Sequence, residues 1–406
     1  MARDKKTKKW IKFRHYVVRN VAYYIVYPYA RIKYGIKIRK FKEQKKTPYL
    51  VLLNHQTPFD QFFVGMAFKG PIYYLATEDI FSMGFISSII RYLVAPIPIK
   101  KQTSDVKAVK QCIRVAREGG SICIAPEGNR TYSGRTEYMN DSIASLAKML
   151  KLPIALYRLE GGYGAEPRWS DVVRKGHFKG YVSQVIEPET YKDMSNEELF
   201  AMIEKGLFVD EAVVDYEYHH KKRAEYLERA VYVCPFCGLS KFESNGAICE
   251  CKNCGAQIEY LPTKEIKGIN CEFPFRFVAD WYDYQKDYIN KLDTAKYISA
   301  PLYHDEADVF EVILNKKKVP FKKWAKISLY GNRVMFNEGE TDEVELDFAE
   351  VSAVSVLGRN KLNIYIGDNV YQLKGDKRFN ALKYVNIYYR HKNITKGNEN
   401  EVFLGL

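Results

Sequence analysis

From Tyr49 to Leu159, short unbroken apolar runs alternate with segments of helical period, and few folds accept that pattern. The runs are Tyr49–Leu53, Ile72–Ala76, Ala95–Ile99, Ser121–Ala125 and Pro153–Leu159. A strand that is apolar without alternation is covered on both faces. Helical segments lie between the later runs. Ser104 is placed to cap one, with Val106, Val109, Ile113 and Ala116 on a single face and a stop at Gly119-Gly120. Asp141 to Leu150 repeats the idea with Ile143, Leu146, Ala147 and Leu150. Strands alternating with helices predict an α/β unit with a mostly parallel sheet.

The rest of the chain changes character several times. Met194 to Arg229 reads as charged and helical, and closes a unit spanning 47–229. A cysteine-rich module follows at 230–262. A connector at 263–300 has a helix near Trp281–Leu292. Residues 301–395 are strand-rich, with turn signals at Gly331-Asn332 and Gly367-Asp368-Asn369. That part ends in a helix opened by Asp376, with Phe379, Leu382, Val385 and Tyr389 on one side. The tail, 396–406, is polar and then apolar. A chain of 406 residues divides naturally into two or three such domains.

The charge is concentrated at one end. The formal net charge is +14. Residues 1–46 hold 11 Lys and 5 Arg against only Asp4 and Glu43, so this arm accounts for all of it. The body that follows is neutral. A generally basic nucleic-acid binder is therefore disfavoured, and no nucleic acid is expected as a partner. The arm interleaves its bases with Trp10, Phe13, Tyr16, Tyr23, Tyr24, Tyr27, Tyr29 and Tyr34. Basic stems and amphipathic rings partition to the headgroup zone of an anionic membrane. The plainer reading is a helix packed on its own domain with a solvated charged face. No run reaches the ~20 apolar residues of a membrane-crossing helix, and a signal peptide is not expected. Five of the eight cysteines crowd into Cys234–Cys254, while Cys112 and Cys123 sit in apolar contexts. A paired disulfide framework is not implied, so the expected compartment is the cytoplasm.

Two polar clusters follow buried runs. Asn54-His55-Gln56-Thr57-Pro58-Phe59-Asp60 comes directly after the first. The carboxyl end of such a strand is where α/β folds place ligands. Histidine takes a proton from an alcohol near neutral pH, and a carboxylate on its other ring nitrogen fixes the tautomer. Asp60 is near enough in sequence to fold back. Equally, Thr57, Pro58 and Asp60 make a good helix start, in which Asp60 would only cap. Ala125-Pro126-Glu127-Gly128-Asn129-Arg130-Thr131 follows another run. Its tight turn presents Glu127 and Arg130, and arginine grips phosphate bidentately.

Together these segments resemble the glycerophospholipid acyltransferase family, the lysophosphatidic acid acyltransferases in particular. Asn54, His55 and Asp60 match the family's Asn-His-x4-Asp block. Pro126, Glu127, Gly128 and Arg130 match its Phe-Pro-Glu-Gly-Thr-Arg-Ser block, from which Ala125, Asn129 and Thr131 depart. Ala95-Pro96-Ile97-Pro98-Ile99-Lys100 is similar to the block between them, with Lys100 or Lys101 in place of the usual arginine. Leu152-Pro153-Ile154-Ala155-Leu156 is similar to the fourth block. The resemblance implies an α/β acyltransferase domain with N-terminal amphipathic helices resting on the bilayer, over residues 8–40. It implies that His55 deprotonates the hydroxyl of a lysophospholipid, with Asp60 orienting it, for direct attack on an acyl thioester. Glu127, Gly128, Asn129, Arg130 and Lys100 would hold the acceptor, with Arg130 on its phosphate. The donor would be acyl-CoA or acyl carrier protein, and the setting the cytoplasmic face of a membrane. A catalytically inactive membrane or protein adaptor is the alternative.

Cys234-Pro-Phe-Cys237-Gly and Cys251-Lys-Asn-Cys254-Gly are two knuckles with 13 residues between them. Each aims two thiolates at one cation, and four thiolates suit tetrahedral zinc in a structural role. The spacing resembles a zinc ribbon. Cys249 could replace Cys251, though the repeated Cys-x2-Cys-Gly favours Cys251, and a redox pair is a minor alternative. Residues 309–392 are weakly similar to a pleckstrin-homology or GRAM-like domain, with a purely packing or dimerising domain as the other reading.

Overall fold

The structure is a computed structural model and describes residues 9–82, 84–99, 106–313, 317–367 and 369–398. Two compact units emerge. The first comprises 1–129, 139–162 and 177–209, and the second 130–138, 163–176 and 210–406.

In the first unit, seven described strands form one sheet. They are β1 (Lys37–Ile38), β2 (Leu50–Leu53), β3 (Ile72–Thr77), β4 (Ile97–Ile99), β5 (Ser121–Ile124), β6 (Ile154–Glu160) and β7 (Lys179–Ile186). Their order is β1-β7-β6-β2-β5-β3-β4. All neighbours are parallel except β6 and β7. The five apolar runs are thus five strands of a mostly parallel sheet. β2 lies between β5 and β6, and Leu50, Val51, Leu52 and Leu53 are all buried. Helices Val106–Arg117 and Ser142–Leu150 bury Cys112, Val115, Ile143 and Ala147 in the same core as Leu50, Leu52 and Ile122. Ser104, the expected cap, lies outside the described residues.

The N-terminal arm forms one described helix, Phe13–Tyr34, where the resemblance implied more than one. Its inward stripe contains His15, Ala30 and Tyr34, all buried at helical spacing. His15 Nδ1 lies 2.9 Å from the Tyr73 hydroxyl, and Tyr34 packs edge-on to Phe63. The outward stripe leaves Phe13, Val17, Val21, Tyr24, Ile25 and Ile32 exposed. Helix Phe85–Leu93 does the same with Phe85, Ile86, Ile89 and Tyr92.

The expected helix over Met194–Arg229 is shorter, because only Asn196–Leu207 is an α-helix. Ser195 opens it with a capping box to Glu198. Beyond Val209 the chain passes into the second unit and bonds there instead, with Glu211 N donating to Gly134 O and Tyr218 N to Pro262 O. The expected unit at 47–229 is therefore interrupted at 130–138 and 163–176. Those segments share a core with later residues, for Tyr132 and Trp169 cluster with Tyr260, Val278 and Trp281.

The second unit holds a four-stranded antiparallel sheet in the order Phe242–Asn245, Ile248–Cys251, Gln257–Tyr260 and Ile266–Gly268. The last of these lies in the expected connector, so the cysteine module's sheet runs past 262. Helix Val278–Asn290 buries Val278, Trp281, Tyr282, Gln285 and Ile289. A seven-stranded antiparallel sheet follows, from Tyr303–Ile313 to Asn369–Gly375. The closing helix is Leu382–Thr395. It begins after Asp376, whose carboxylate caps only a turn by accepting from Arg378 N.

Candidate active site

β2 ends at Leu53, and the polar cluster starts there. Asn54 is buried and clamps β2 to β6 in both directions: Nδ2 donates to Leu159 O at 2.8 Å and Oδ1 accepts from Leu159 N at 2.8 Å. The mouth of β2 is therefore fixed before the chain turns. His55 comes next, partly open to solvent with 27% of its side chain exposed.

The carboxylate of Asp60 folds back onto this turn and is almost wholly buried. Oδ2 lies 2.7 Å from His55 Nδ1 and accepts from Gln56 N at 2.7 Å. Oδ1 accepts from Thr57 Oγ1 at 2.6 Å and from Thr57 N at 3.0 Å. Asp60 is also the first residue of helix Asp60–Ala67, so its negative charge sits at the positive end of the helix dipole. The carboxylate orients the histidine and ties down the turn ahead of the helix, while the helix start has no side-chain cap bond. The charge of Asp60 acts on its surroundings as well. Burial first, and Asp60 second, push the Cys123 thiol and the Tyr157 phenol well up, so both stay neutral beside it.

A carboxylate on Nδ1 holds the proton there and leaves the Nε2 lone pair as the base. Thr57 is a site residue that the sequence reading passed over as a cap. Its hydroxyl donates to Asp60 Oδ1 and accepts from Phe59 N. Thr57→Ala should cost about 1.5–3 kcal/mol, the range for a lost bond to a charged group. Thermal unfolding beside wild type checks this, and an unchanged melting temperature would contradict it.

Glu127 is buried, and its Oε1 accepts from His55 N at 2.8 Å. The second motif thus holds the main chain of the first. The sequence reading places Glu127 on the acceptor, and in the structure its Oε1 also holds the backbone under the histidine. It stands in a turn closed by Gly128 N to Ala125 O at 3.0 Å, and Gly128 takes a left-handed φ of 67° that suits glycine. Asn129 and Arg130 are half-buried, and Arg130 is the first residue of a segment of the second unit. Lys100 and Lys101 lie outside the described residues.

The four expected metal ligands come together in the second unit. The Sγ atoms of Cys234, Cys237, Cys251 and Cys254 all lie within 4.8 Å of one another. Two cross pairs, Cys234–Cys254 and Cys237–Cys251, are 3.7 and 3.6 Å apart. Four sulfurs at ~2.3 Å from a tetrahedral centre stand about 3.8 Å from each other, close to these two cross distances, so the four thiols could hold one tetrahedral metal ion. Cys249 is not in the set. It is mid-strand opposite Ile258, buried in the unit's core.

A family model described as Acyltransferase matches residues 35–156. The chain is 22% identical over 192 residues to the chloroplastic 1-acyl-sn-glycerol-3-phosphate acyltransferase LPAT1 of Arabidopsis thaliana, covering 46% of this chain and 52% of that protein. It is 24% identical over 155 residues to the chloroplastic 1-acyl-sn-glycerol-3-phosphate acyltransferase BAT2 of Brassica napus, covering 37% and 43%. The chain thus spans about half the length of these relatives. Among solved structures, it has a TM-score of 0.38 and 17% identity to the 1-acyl-sn-glycerophosphate acyltransferase PlsC of Thermotoga maritima, over 48% of this chain and 75% of that one. The family match encloses the whole His55, Asp60 and Glu127 arrangement.

Proposed function

We propose that this chain is a membrane-associated O-acyltransferase that moves a fatty acyl group from a thioester to the free hydroxyl of 1-acyl-glycerol 3-phosphate or a similar lysophospholipid. The carrying observation is the 2.7 Å contact of His55 Nδ1 with Asp60 at the carboxyl end of β2. His55 Nε2 takes the hydroxyl proton as the oxygen attacks the thioester carbonyl. The carbon–sulfur bond breaks, and the proton passes to the departing thiolate. No covalent enzyme intermediate is needed. Arg130 takes the acceptor's phosphate, and the resemblance adds Glu127, Gly128, Asn129 and Lys100 to the acceptor's contacts. The donor is acyl-CoA or acyl carrier protein, and the relatives' printed names support the lysophosphatidate acceptor. The test is the purified protein assayed with both donors against a panel of lysophospholipids and glycerol 3-phosphate. Ester formation on a phosphate-bearing acceptor supports the reading, and none with any pair overturns it.

The membrane surface is the second part of the proposal. The exposed stripe of helix Phe13–Tyr34 is flanked by Arg31 and other bases, and helix Phe85–Leu93 adds Phe85 at 80% exposure. The two helices touch, with Arg14 Nε donating to Tyr92 O at 2.7 Å. No described helix is long and apolar enough to cross a membrane. Peripheral contact at the cytoplasmic face is the reading these features support. Each base near anionic lipid adds about 1 kcal/mol. Phe85→Asp with Ile89→Asp should weaken flotation with anionic vesicles by roughly 10-fold or more, and salt should weaken wild-type binding as well. Equal flotation of variant and wild type would contradict this.

The four-cysteine site holds structural zinc on this reading, and bound metal would contribute folding energy and no open coordination position. In the seven-stranded sheet, Tyr303–Ile313 stands between Lys317–Leu329 and Asn369–Gly375, and a helix follows. That order supports the pleckstrin-homology-like reading of 301–395.

A further inference from the structure

The turn that carries His55 and Asp60 is held from outside by the N-terminal arm, and all the residues concerned belong to the first unit. Phe59 stands directly before helix Asp60–Ala67, and that helix start has no side-chain cap bond. The half-buried ring of Phe59 is gripped instead by helix Phe13–Tyr34. Lys33 Nζ stands 4.7 Å from the centre of the Phe59 ring, 5.2 Å from that of Tyr34 and 5.6 Å from that of Tyr29. The rings of Tyr34 and Tyr29 lie 5.5 and 6.0 Å from Phe59. Tyr34 also reaches Phe63, one turn along the next helix, with ring centres 5.7 Å apart, and Tyr34 and Phe63 are both wholly buried.

These contacts bracket Asp60. Phe59 and Phe63 are four residues apart and so share a face, and Asp60 lies between them with its carboxylate on His55 Nδ1, Gln56 N and Thr57 N. A shift of this first helical turn therefore moves the carboxylate against the imidazole. On the arm, Tyr29 and Ile32 are exposed in the same turn as Lys33. The neighbouring base Arg31 is exposed too, as a contact for lipid headgroups would be, whereas Lys33 is half-buried among rings.

We infer that Lys33, Tyr34 and Phe59 position the His55–Asp60 pair, so that the arm serves the chemistry and not the lipid surface alone. This rests on the acyl-transfer reading. A cation over an aromatic face is drawn to the negative face of the ring, and more strongly where water is partly excluded. The lysine stem adds apolar contact beneath its charge. A transfer step depends steeply on the placement of its base, so a loosened helix start costs turnover even with every catalytic group present. All three are positioning residues on this account.

The test compares wild type with Lys33→Met, Lys33→Arg and Phe59→Leu on a short-chain lysophosphatidate that stays in free solution, with no vesicles present. An arm that only bound lipid would leave this assay unchanged. Positioning predicts a fall in kcat of about 5-fold in Lys33→Met and about 10-fold in Phe59→Leu, with acceptor and donor KM within about 2-fold. Lys33→Arg keeps a cation over the ring and should hold kcat within about 2-fold of wild type. Unchanged kcat in Lys33→Met overturns the inference. So does a fall that arginine does not restore, or one that follows a loss of folded protein in thermal melts. The second readout is the His55 Nδ1 proton in nuclear magnetic resonance, identified by its loss in His55→Ala. Its exchange with solvent should be about 3-fold faster or more in Lys33→Met, because the bond to Asp60 opens more often. If wild type acylates no acceptor, the acyl-transfer reading fails, and the exchange comparison still decides the positioning: faster exchange upholds it and equal exchange overturns it.

Discussion

Turnover of His55→Ala is expected to fall by about 10²-fold or more, the usual share of a general base in a transfer step. The substitution removes the ring held by Asp60 while leaving the carboxylate's other partners, Gln56 N, Thr57 N and Thr57 Oγ1, in place. Glu127 accepts from the backbone of residue 55 and not from the ring, so the turn keeps its shape as well. The melting temperature should therefore move little while kcat falls. Asp60→Asn belongs to the same argument with the opposite balance: it disturbs both the tautomer and the turn, so activity and stability should fall together. Near wild-type turnover by His55→Ala would remove His55 from the mechanism.

The second large effect is on the second unit. On the proposed zinc reading, removing the metal, or one of its ligands by Cys251→Ser, should unfold the cysteine module. Structural zinc in small modules contributes roughly 10–16 kcal/mol of apparent binding energy near neutral pH, more than a sheet of this size supplies by itself. Two of the module's neighbours are tied to the first knuckle, for Trp281 and Gln285 bond the chain at Tyr232 and Val233. Loss should therefore spread into helix Val278–Asn290. Elemental analysis gives the metal content, and hydrogen exchange across 230–290 gives the order. About one zinc per chain in wild type, lost in Cys251→Ser and kept in Cys249→Ser, is the expected result. Metal loss in Cys249→Ser with retention in Cys251→Ser would reassign the site, and a metal-free chain with unchanged exchange would remove the structural role.

What could be read from the sequence follows from local physics. β2, β3, β5 and β6 are covered on both faces for most of their length, and such strands announce themselves as apolar runs. β7 does not, because its interior is polar at Ser183 and Gln184, and its antiparallel pairing with β6 has no local signature. Helix Phe85–Leu93 escaped for the opposite reason: its apolar stripe is exposed, so its pattern did not set it in the core. At the site, His55 and Asp60 were legible as a spaced motif. The contact of Glu127 with the backbone of His55 was not, since it joins distant segments through a main-chain N–H that any residue carries. The binding of 130–138 into the second unit was equally hidden. Arg135 reads as a surface base until Asp210, Asp280 and Asp283 are brought to it from far along the chain. The four cysteines were legible because knuckle geometry is local, and only the choice between Cys249 and Cys251 needed the structure.

The central claim is direct transfer of an acyl group by the His55–Asp60 pair to a lysophospholipid hydroxyl. Its most direct measurement follows labelled acyl thioester, lysophosphatidate in anionic vesicles and purified protein, reading ester product and free thiol together. The account predicts one thiol released per ester formed with wild type, no labelled protein at any time, and no ester with His55→Ala above the ~10²-fold reduced level. Labelled protein accumulating before product, or equal ester formation by wild type and His55→Ala, would contradict it.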